Sequence, residues 1–298
     1  LLAAVCVLFT PGLGLGVEGG YCSLTSVPQG GTIRFHISTS TPQYSLSIYR
    51  EGVQRVLKTR IANLAGGERS CPEPGYETGC GWPVSYSLTV PSDWPSGVYT
   101  GEFNTGSAGT GKKLCVFVVR EDQPGSTSPV FVSLAVNTHN AYNAFGGKSL
   151  YGTSPSRIVS FNRPYDSTGD GSYYRREHPF VAWAEGAGYA FEYGTNVDLH
   201  QDANLLDHYS CFITLGHDEY WSREMRDHLD AFVNGGGAAM ILSGNTCWWQ
   251  VRYSTDLRTM ICYKAFALKE DPFATDSNPA NDHLITTNWY KSPVNYPE

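Results

Sequence analysis

The pattern of the chain changes once, and that change limits what it can fold into. From Tyr21 to about Arg120 apolar and polar residues alternate with period two, in TIRFHIST, YSLSIYR, VSYSLTV, GVYTGEF and KLCVFVVR, with Gly, Pro and Ser clusters between them. Period two is the mark of half-buried strands. Five or more such strands without a helical stretch predict a β-sandwich of immunoglobulin or fibronectin-like kind over 19–121. A linker follows at 122–129. Beyond it VFVSLAV (Val130 to Val136) is apolar almost throughout, as a strand covered on both faces must be. HPFVAWAEGAGY reads as a helix, AFEYGTN as a strand and CFITLG as a second buried strand. SREMRDHLDAFVNGGG is a helix with Ser222 as N-cap, Glu224 in its first turn and glycines at its end. AAMILSGN is the next strand. Strands alternating with helices predict a doubly wound, mostly parallel sheet over 130–298.

Composition narrows the function. The 298 residues suffice for two domains, and 41% hydrophobic residues with 7 Trp, 19 Tyr and 13 Phe suffice for their cores. Charged residues are 16% and the net charge is -7, which leaves no basic surface for a polyanion and argues against nucleic acid. Leu1 to Thr10 is uncharged, apolar and too short to span a bilayer. With the Pro and Gly that follow, it reads as a signal-peptide remnant, residues 1–18, the plainer reading being a first core strand. Eight cysteines fit an oxidising compartment. Cys71 and Cys80 flank a Pro/Gly-rich loop that a disulfide could close, and no pair has zinc-knuckle spacing. With Cys6 in the leader, seven remain, so at least one is free or bonded between chains. A secreted protein without a membrane span is expected.

In open α/β sheets ligands bind beyond the carboxyl ends of the strands. Three polar segments fall there: NTHNAYNAFGGKSLY after VFVSLAV, HDEYWS after CFITLG, and TCWWQVR after AAMILSGN. With SDWPSGVYTGEF, VSFNRPYD and MICYK they form an ordered series that resembles the N,N-dimethylformamidase large (beta) subunit-like family over roughly residues 20–272. The resemblance implies a glutamine-amidotransferase-like α/β fold and a mononuclear ferric ion, Fe3+, that hydrolyses a small amide. Carried over by motif, the metal ligands are Tyr99 of SGVY, Tyr142 of AYNAFGG and Glu219 of HDEYW. His217 and Asn245 are the catalytic residues beside them, and Asn143, Phe145, Trp248 and Trp249 would contact substrate. A further acidic residue of the family has no counterpart that can be placed before Glu298. A small partner subunit and a homo-oligomer are compatible with the resemblance.

The residue types suit that chemistry. Two phenolates and a carboxylate are hard donors whose three charges match a trivalent ion, and three protein ligands leave room for water and a carbonyl oxygen. His217 is placed to move a proton, Asn245 to orient the amide or the attacking water, and the Trp248–Trp249 pair to wall the pocket. Read without the resemblance, Tyr99 is strand packing, Glu219 faces the dipole of the following helix and His217 is a loop histidine. No H-E-x-x-H or G-x-S-x-G motif occurs, and no Cys or Ser occupies the turn where amidotransferase-like folds carry a nucleophile. The alternative from another class is a secreted glycan- or surface-binding protein that keeps the scaffold without catalysis.

Overall fold

The computed structural model describes residues 16–165 and 172–294. The apolar run read as a leader, Leu1 to Thr10, lies outside them. Val17 and Glu18, at the end of that reading, belong to the fold. Val17 donates its amide to the Arg69 carbonyl at 3.0 Å, and the Glu18 carboxylate accepts the backbone amides of Ser40 and Gly106.

The alternating half forms one curled seven-stranded sheet. Its strands are β1 (Gly19–Cys22), β2 (Ser26–Pro28), β3 (Thr32–Glu51), β4 (Val56–Gly67), β5 (Tyr86–Thr89), β6 (Gly97–Thr105) and β7 (Gly111–Arg120), with one helical turn, α1 (Gly75–Thr78), between β4 and β5. The segments TIRFHIST and YSLSIYR, read as two strands, are one long β3. Its first half pairs with β1 and β5 and its second with β4 and β6. Pro42, which lacks an amide hydrogen, sits where the β3–β4 register shifts between Thr39 and Gln43. Opposite it only glycine fits at position 66, since a Cβ there would lie 1.7 Å from the Thr41 carbonyl oxygen. The strand therefore bends without ending, and the curl closes over Phe35, Leu46, Ile48, Tyr99, Phe103 and Phe117. Cys71 and Cys80 are neighbours but free thiols, as are the other five described cysteines, so the expected disulfide is not formed here.

The second half is mixed α/β. In chain order it contains β8 (Val130–Leu134), α2 (Val136–Tyr142), β9 (Ile158–Ser160), α3 (Tyr173–Arg176), α4 (His178–Gly186), β10 (Glu192–Thr195), α5 (Asn196–Gln201), β11 (Cys211–His217), β12 (Tyr220–Ser222), α6 (Arg223–Asn234), β13 (Ala238–Gly244), β14 (Trp249–Tyr253) and β15 (Thr259–Ile261). β10-β8-β11-β13 is a wholly parallel sheet, and β12-β14-β15-β9 is a small mixed one. Ser222 caps α6 as expected, its hydroxyl accepting the Met225 amide at 3.2 Å. VFVSLAV ends sooner than its apolar run, because Val136 already begins α2. Among the described residues no helix is long and apolar enough to cross a membrane.

The two halves share a core. Val98 and Val118 of β6 and β7 pack with Val132, Leu134 and Tyr193 of the parallel sheet. Polar contacts flank this core: Ser26 donates to Asp198 at 2.6 Å, and Arg50 forks onto Glu185 at 2.7 and 3.0 Å. The β10 edge is thereby covered. The opposite edge, β13, leaves Met240, Ile241 and Leu242 exposed.

Candidate active site

Strand order locates the site. From β8 the chain moves outward to β10, then returns past β8 to β11 and continues to β13. The direction of winding therefore reverses between β8 and β11, and a crevice opens at their carboxyl ends. β8 leads into α2, which ends at Tyr142, and the loop after it carries Tyr151. β11 ends at His217 and delivers Asp218 and Glu219. Gly216, at φ +71°, makes the turn. No other residue fits there, since a Cβ would meet the Arg176 backbone at 2.9 Å.

Glu219 is the hub of the crevice. It is 4% exposed, and its backbone is fixed on both sides. Its amide donates to the Thr138 hydroxyl at 2.9 Å, and its carbonyl accepts the amides of Trp248 and Trp249. The Tyr151 hydroxyl lies 2.7 and 2.8 Å from the two carboxylate oxygens, the Tyr142 hydroxyl 3.1 Å from Oε2, and the Trp249 indole nitrogen 2.9 Å from Oε1. His217 Nε2 is 3.3 Å from Oε2 and 3.2 Å from the Asn245 amide nitrogen. Asn245 takes a left-handed conformation, φ +50°, which Asn tolerates better than most residues. The Tyr142 and Tyr151 rings stack at 4.1 Å.

One cation stands behind these oxygens. Lys264 Nζ donates to the Tyr220 hydroxyl at 3.0 Å and lies 3.5 Å above the Tyr151 ring, while Tyr220 donates to the Tyr151 oxygen at 2.7 Å. Burial alone would raise the Glu219 pKa. Hydrogen bonds from His217 and Tyr151, with the charges of His217 and Lys264, outweigh it and hold the carboxyl below its ordinary range. Tyr151 is pushed far up by burial, then by the Tyr142 phenol and the Glu219 charge. Burial lowers Lys264, against the pull of Cys262 and Glu219. An ionised carboxylate thus accepts from two neutral phenols.

Of the residues expected from sequence, Tyr142, Glu219, His217, Asn245 and Trp249 are brought together. Tyr99 is not. Its hydroxyl donates to the Pro95 carbonyl at 2.7 Å, and its ring lies parallel to Trp94 at 5.2 Å inside the β core. A period-two strand residue flanked by apolar neighbours points inward, and Tyr99 obeys that rule over the motif. The second phenol beside Glu219 is Tyr151, nine positions after Tyr142 in the same polar segment. Asn143 holds the loop, donating to Pro164 O and accepting from the Phe145 amide, and Phe145 packs edge-on against Trp82. Neither reaches Glu219. Trp248 is exposed and meets Tyr290. Tyr220 and Lys264 lay within the noted motifs HDEYWS and MICYK, but nothing in their spacing marked them.

Among the described residues no three His, Cys, Asp or Glu cluster as metal ligands. The donors here are chiefly phenolic. One carboxylate and two phenol oxygens within hydrogen-bond distance of it form a compact, hard donor set that fits a small, highly charged cation. His217 Nδ1 is buried without a partner among the described residues, while Nε2 is the nitrogen that faces Glu219. No curated protein matches the chain. A family model described as N,N-dimethylformamidase beta subunit-like, C-terminal, matches residues 45–298, and the chain belongs to that family.

Proposed function

We propose that the chain hydrolyses a small amide, with a ferric ion held by Tyr142, Tyr151 and Glu219. The observation that carries this reading is the meeting of two phenols and one ionised carboxylate at the switch point of the parallel sheet. When bound, the ion supplies a Lewis acid for a carbonyl and a means of acidifying water. Tyr142 and Tyr151, as phenolates, would with Glu219 supply three negative charges to offset a trivalent ion. Lys264, through Tyr220 and over the Tyr151 ring, favours the phenolate. Trp249 fixes the Glu219 oxygen it touches. His217 holds a proton within reach of the reacting groups and moves it toward the departing amine. Asn245 orients the His217 ring and presents an amide dipole to the substrate.

The family description supports this reading through the activity that it names, and the word "subunit" in it supports a partner chain. Two wider proposals accompany it. The curled sheet over 19–121 is an immunoglobulin-like sandwich, and 130–298 is an amidotransferase-like domain, supported respectively by the antiparallel pairing around β3 and by the β10-β8-β11-β13 order. Secretion rests on the composition of residues 1–18. The test of the function is metal analysis with visible spectroscopy of the purified protein. It should contain iron and a phenolate-to-iron absorption band, and Glu219→Ala should lose iron, band and amidase activity together. Iron retained in that variant would overturn the assignment.

A further inference from the structure

A second cavity, mostly apolar with a few charged and polar side chains, lies on the other side of α2, away from Glu219. It encloses about 80 Å³ where β1 and β7 meet α2, and Arg163, Arg258, His139, Asn140, Asn143 and Cys22 are among the residues lining it. At about 30 Å³ per water molecule it has the size of two or three waters.

Among the described residues its two guanidiniums have only neutral hydrogen-bond partners. Arg163 is 2% exposed. Its five N–H groups go to the carbonyls of Ser160, Phe145, Lys148 and Asn140 and to the Asn140 side chain. All are neutral acceptors. Arg258 donates Nε to the Asn162 side chain and Nη2 to the Cys22 carbonyl, each at 2.9 Å, and these are neutral too. Asp256, its neighbour in sequence, turns its carboxylate to the Arg258 backbone amide instead. Neither guanidinium is paired with a carboxylate among the described residues. Burial lowers both to about 10, the direction expected when a charge is enclosed without a counter-ion.

A third group is set for a ligand. His139 is 8% exposed. Its Nε2 lies 2.7 Å from Glu177, whose other oxygen accepts the Ala135 amide at 3.0 Å. That carboxylate fixes the ring, and Nδ1 has no partner among the described residues. Among the described residues the cavity thus combines two guanidiniums without a paired carboxylate, N–H groups of Arg258 not used by a described partner, and an oriented imidazole.

We infer that this cavity is a binding site for a small carboxylate of the size of formate or acetate. The planar guanidinium of Arg258 presents paired N–H groups that match the two oxygens of a carboxylate, which a spherical halide cannot use. The site is separate from the Glu219 cluster, since Tyr142 leaves α2 toward Glu219 while His139 and Asn140 line the cavity.

The test is ligand-dependent thermal stability and 13C line broadening of labelled formate and acetate with the whole purified chain, against chloride at equal ionic strength. A saturable rise in Tm and broadening with formate or acetate, absent with chloride, are expected. Arg258→Lys keeps the charge and loses the fork, and should bind at least about tenfold more weakly. Tyr151→Phe should bind as the unaltered chain does, because it disturbs only the Glu219 cluster. A response no larger than that to chloride would overturn the proposal, as would equal binding by Arg258→Lys. Loss of binding in Tyr151→Phe would move the carboxylate to the Glu219 cluster and overturn it as well. Should Arg258→Lys fail to fold, His139→Leu replaces it, with weakened binding expected and unchanged binding counting against the site.

Discussion

Tyr99 is fully buried and Tyr151 half-buried, and their hydroxyls meet partners of different charge. Tyr99 donates to a backbone carbonyl, and its ring is clasped between Trp94 and Phe117. Burial pushes its pKa far up, and the nearby Arg50 charge only partly opposes this. A carbonyl cannot take up a phenolate's charge, so Tyr99 remains a neutral part of the core. Tyr151 donates to an ionised carboxylate, accepts from Tyr220, stacks on a second phenol and lies under an ammonium. Its proton has somewhere to go and its charge would have company. The charge of the partner therefore marks Tyr151 as the candidate ligand and Tyr99 as a structural tyrosine.

The sharpest way to break this contrast is Tyr151→Phe. With one of the three proposed ligands gone, iron should be lost and amidase activity should fall by about three orders of magnitude or more, as when a Lewis acid worth several kcal/mol is removed. Metal analysis and activity should fall together while the Tm moves little. Full iron content in this variant would show that the Glu219 cluster is only a hydrogen-bond network. Trp94→Ala probes the other side. It empties an aromatic site in the β core and should cost about 3–5 kcal/mol, read as a lower denaturation midpoint, with iron per folded molecule unchanged.

Much of the scaffold was legible in the sequence because it depends on local rules. Period two marked the strands of the first half, the apolar run marked β8, and Ser222 with its following turn marked the start of α6. The segments that hold Glu219, His217, Asn245 and Tyr142 were legible because strand ends of a parallel sheet converge by topology, and the residues within them were named by the motif resemblance. Tyr151 was not, because the segment 143–157 has no period. Its course is set by contacts distant in sequence, among them Asn143 with Pro164 and the Arg163 guanidinium with the carbonyls of Phe145 and Lys148. Lys264 was hidden for a similar reason. It sits in a left-handed turn, φ +55°, that no spacing announces. At β3 the sequence read a break, since Pro42 interrupts the alternation. Only the close approach at Gly66 shows how the strand continues.

Lys264→Met tests whether the ammonium favours the Tyr151 phenolate. A cation near a phenol lowers its pKa, so removing it raises the pKa. Because the phenols must lose protons for metal to bind, iron loading should then require higher pH. The expected shift of the loading curve is about one unit upward, or about tenfold weaker loading at fixed pH. Iron titration across pH checks it, and a curve that stays in place or moves toward acid would show that Lys264 acts through packing alone.

The smallest expected effect is also the one that bears most directly on the comparison. Tyr99→Phe keeps the ring, its stacking on Trp94 and its volume, and removes only the hydroxyl that donates to Pro95. A net intramolecular hydrogen bond is worth about 1 kcal/mol, with a further cost for the carbonyl left without a donor. The variant should therefore lose about 1–2 kcal/mol in denaturant unfolding. Iron content, absorption band and pH dependence of loading should match the unaltered chain, since Tyr99 stays protonated on either side of the loading range. The motif resemblance placed a metal ligand at this position, whereas the fold places a core residue there. A tenfold or greater fall in iron affinity in Tyr99→Phe, with stability accounted for, would mean that the β core rearranges to bring Tyr99 to the crevice, and the distinction drawn from the partner's charge would fail at the residue for which it was framed.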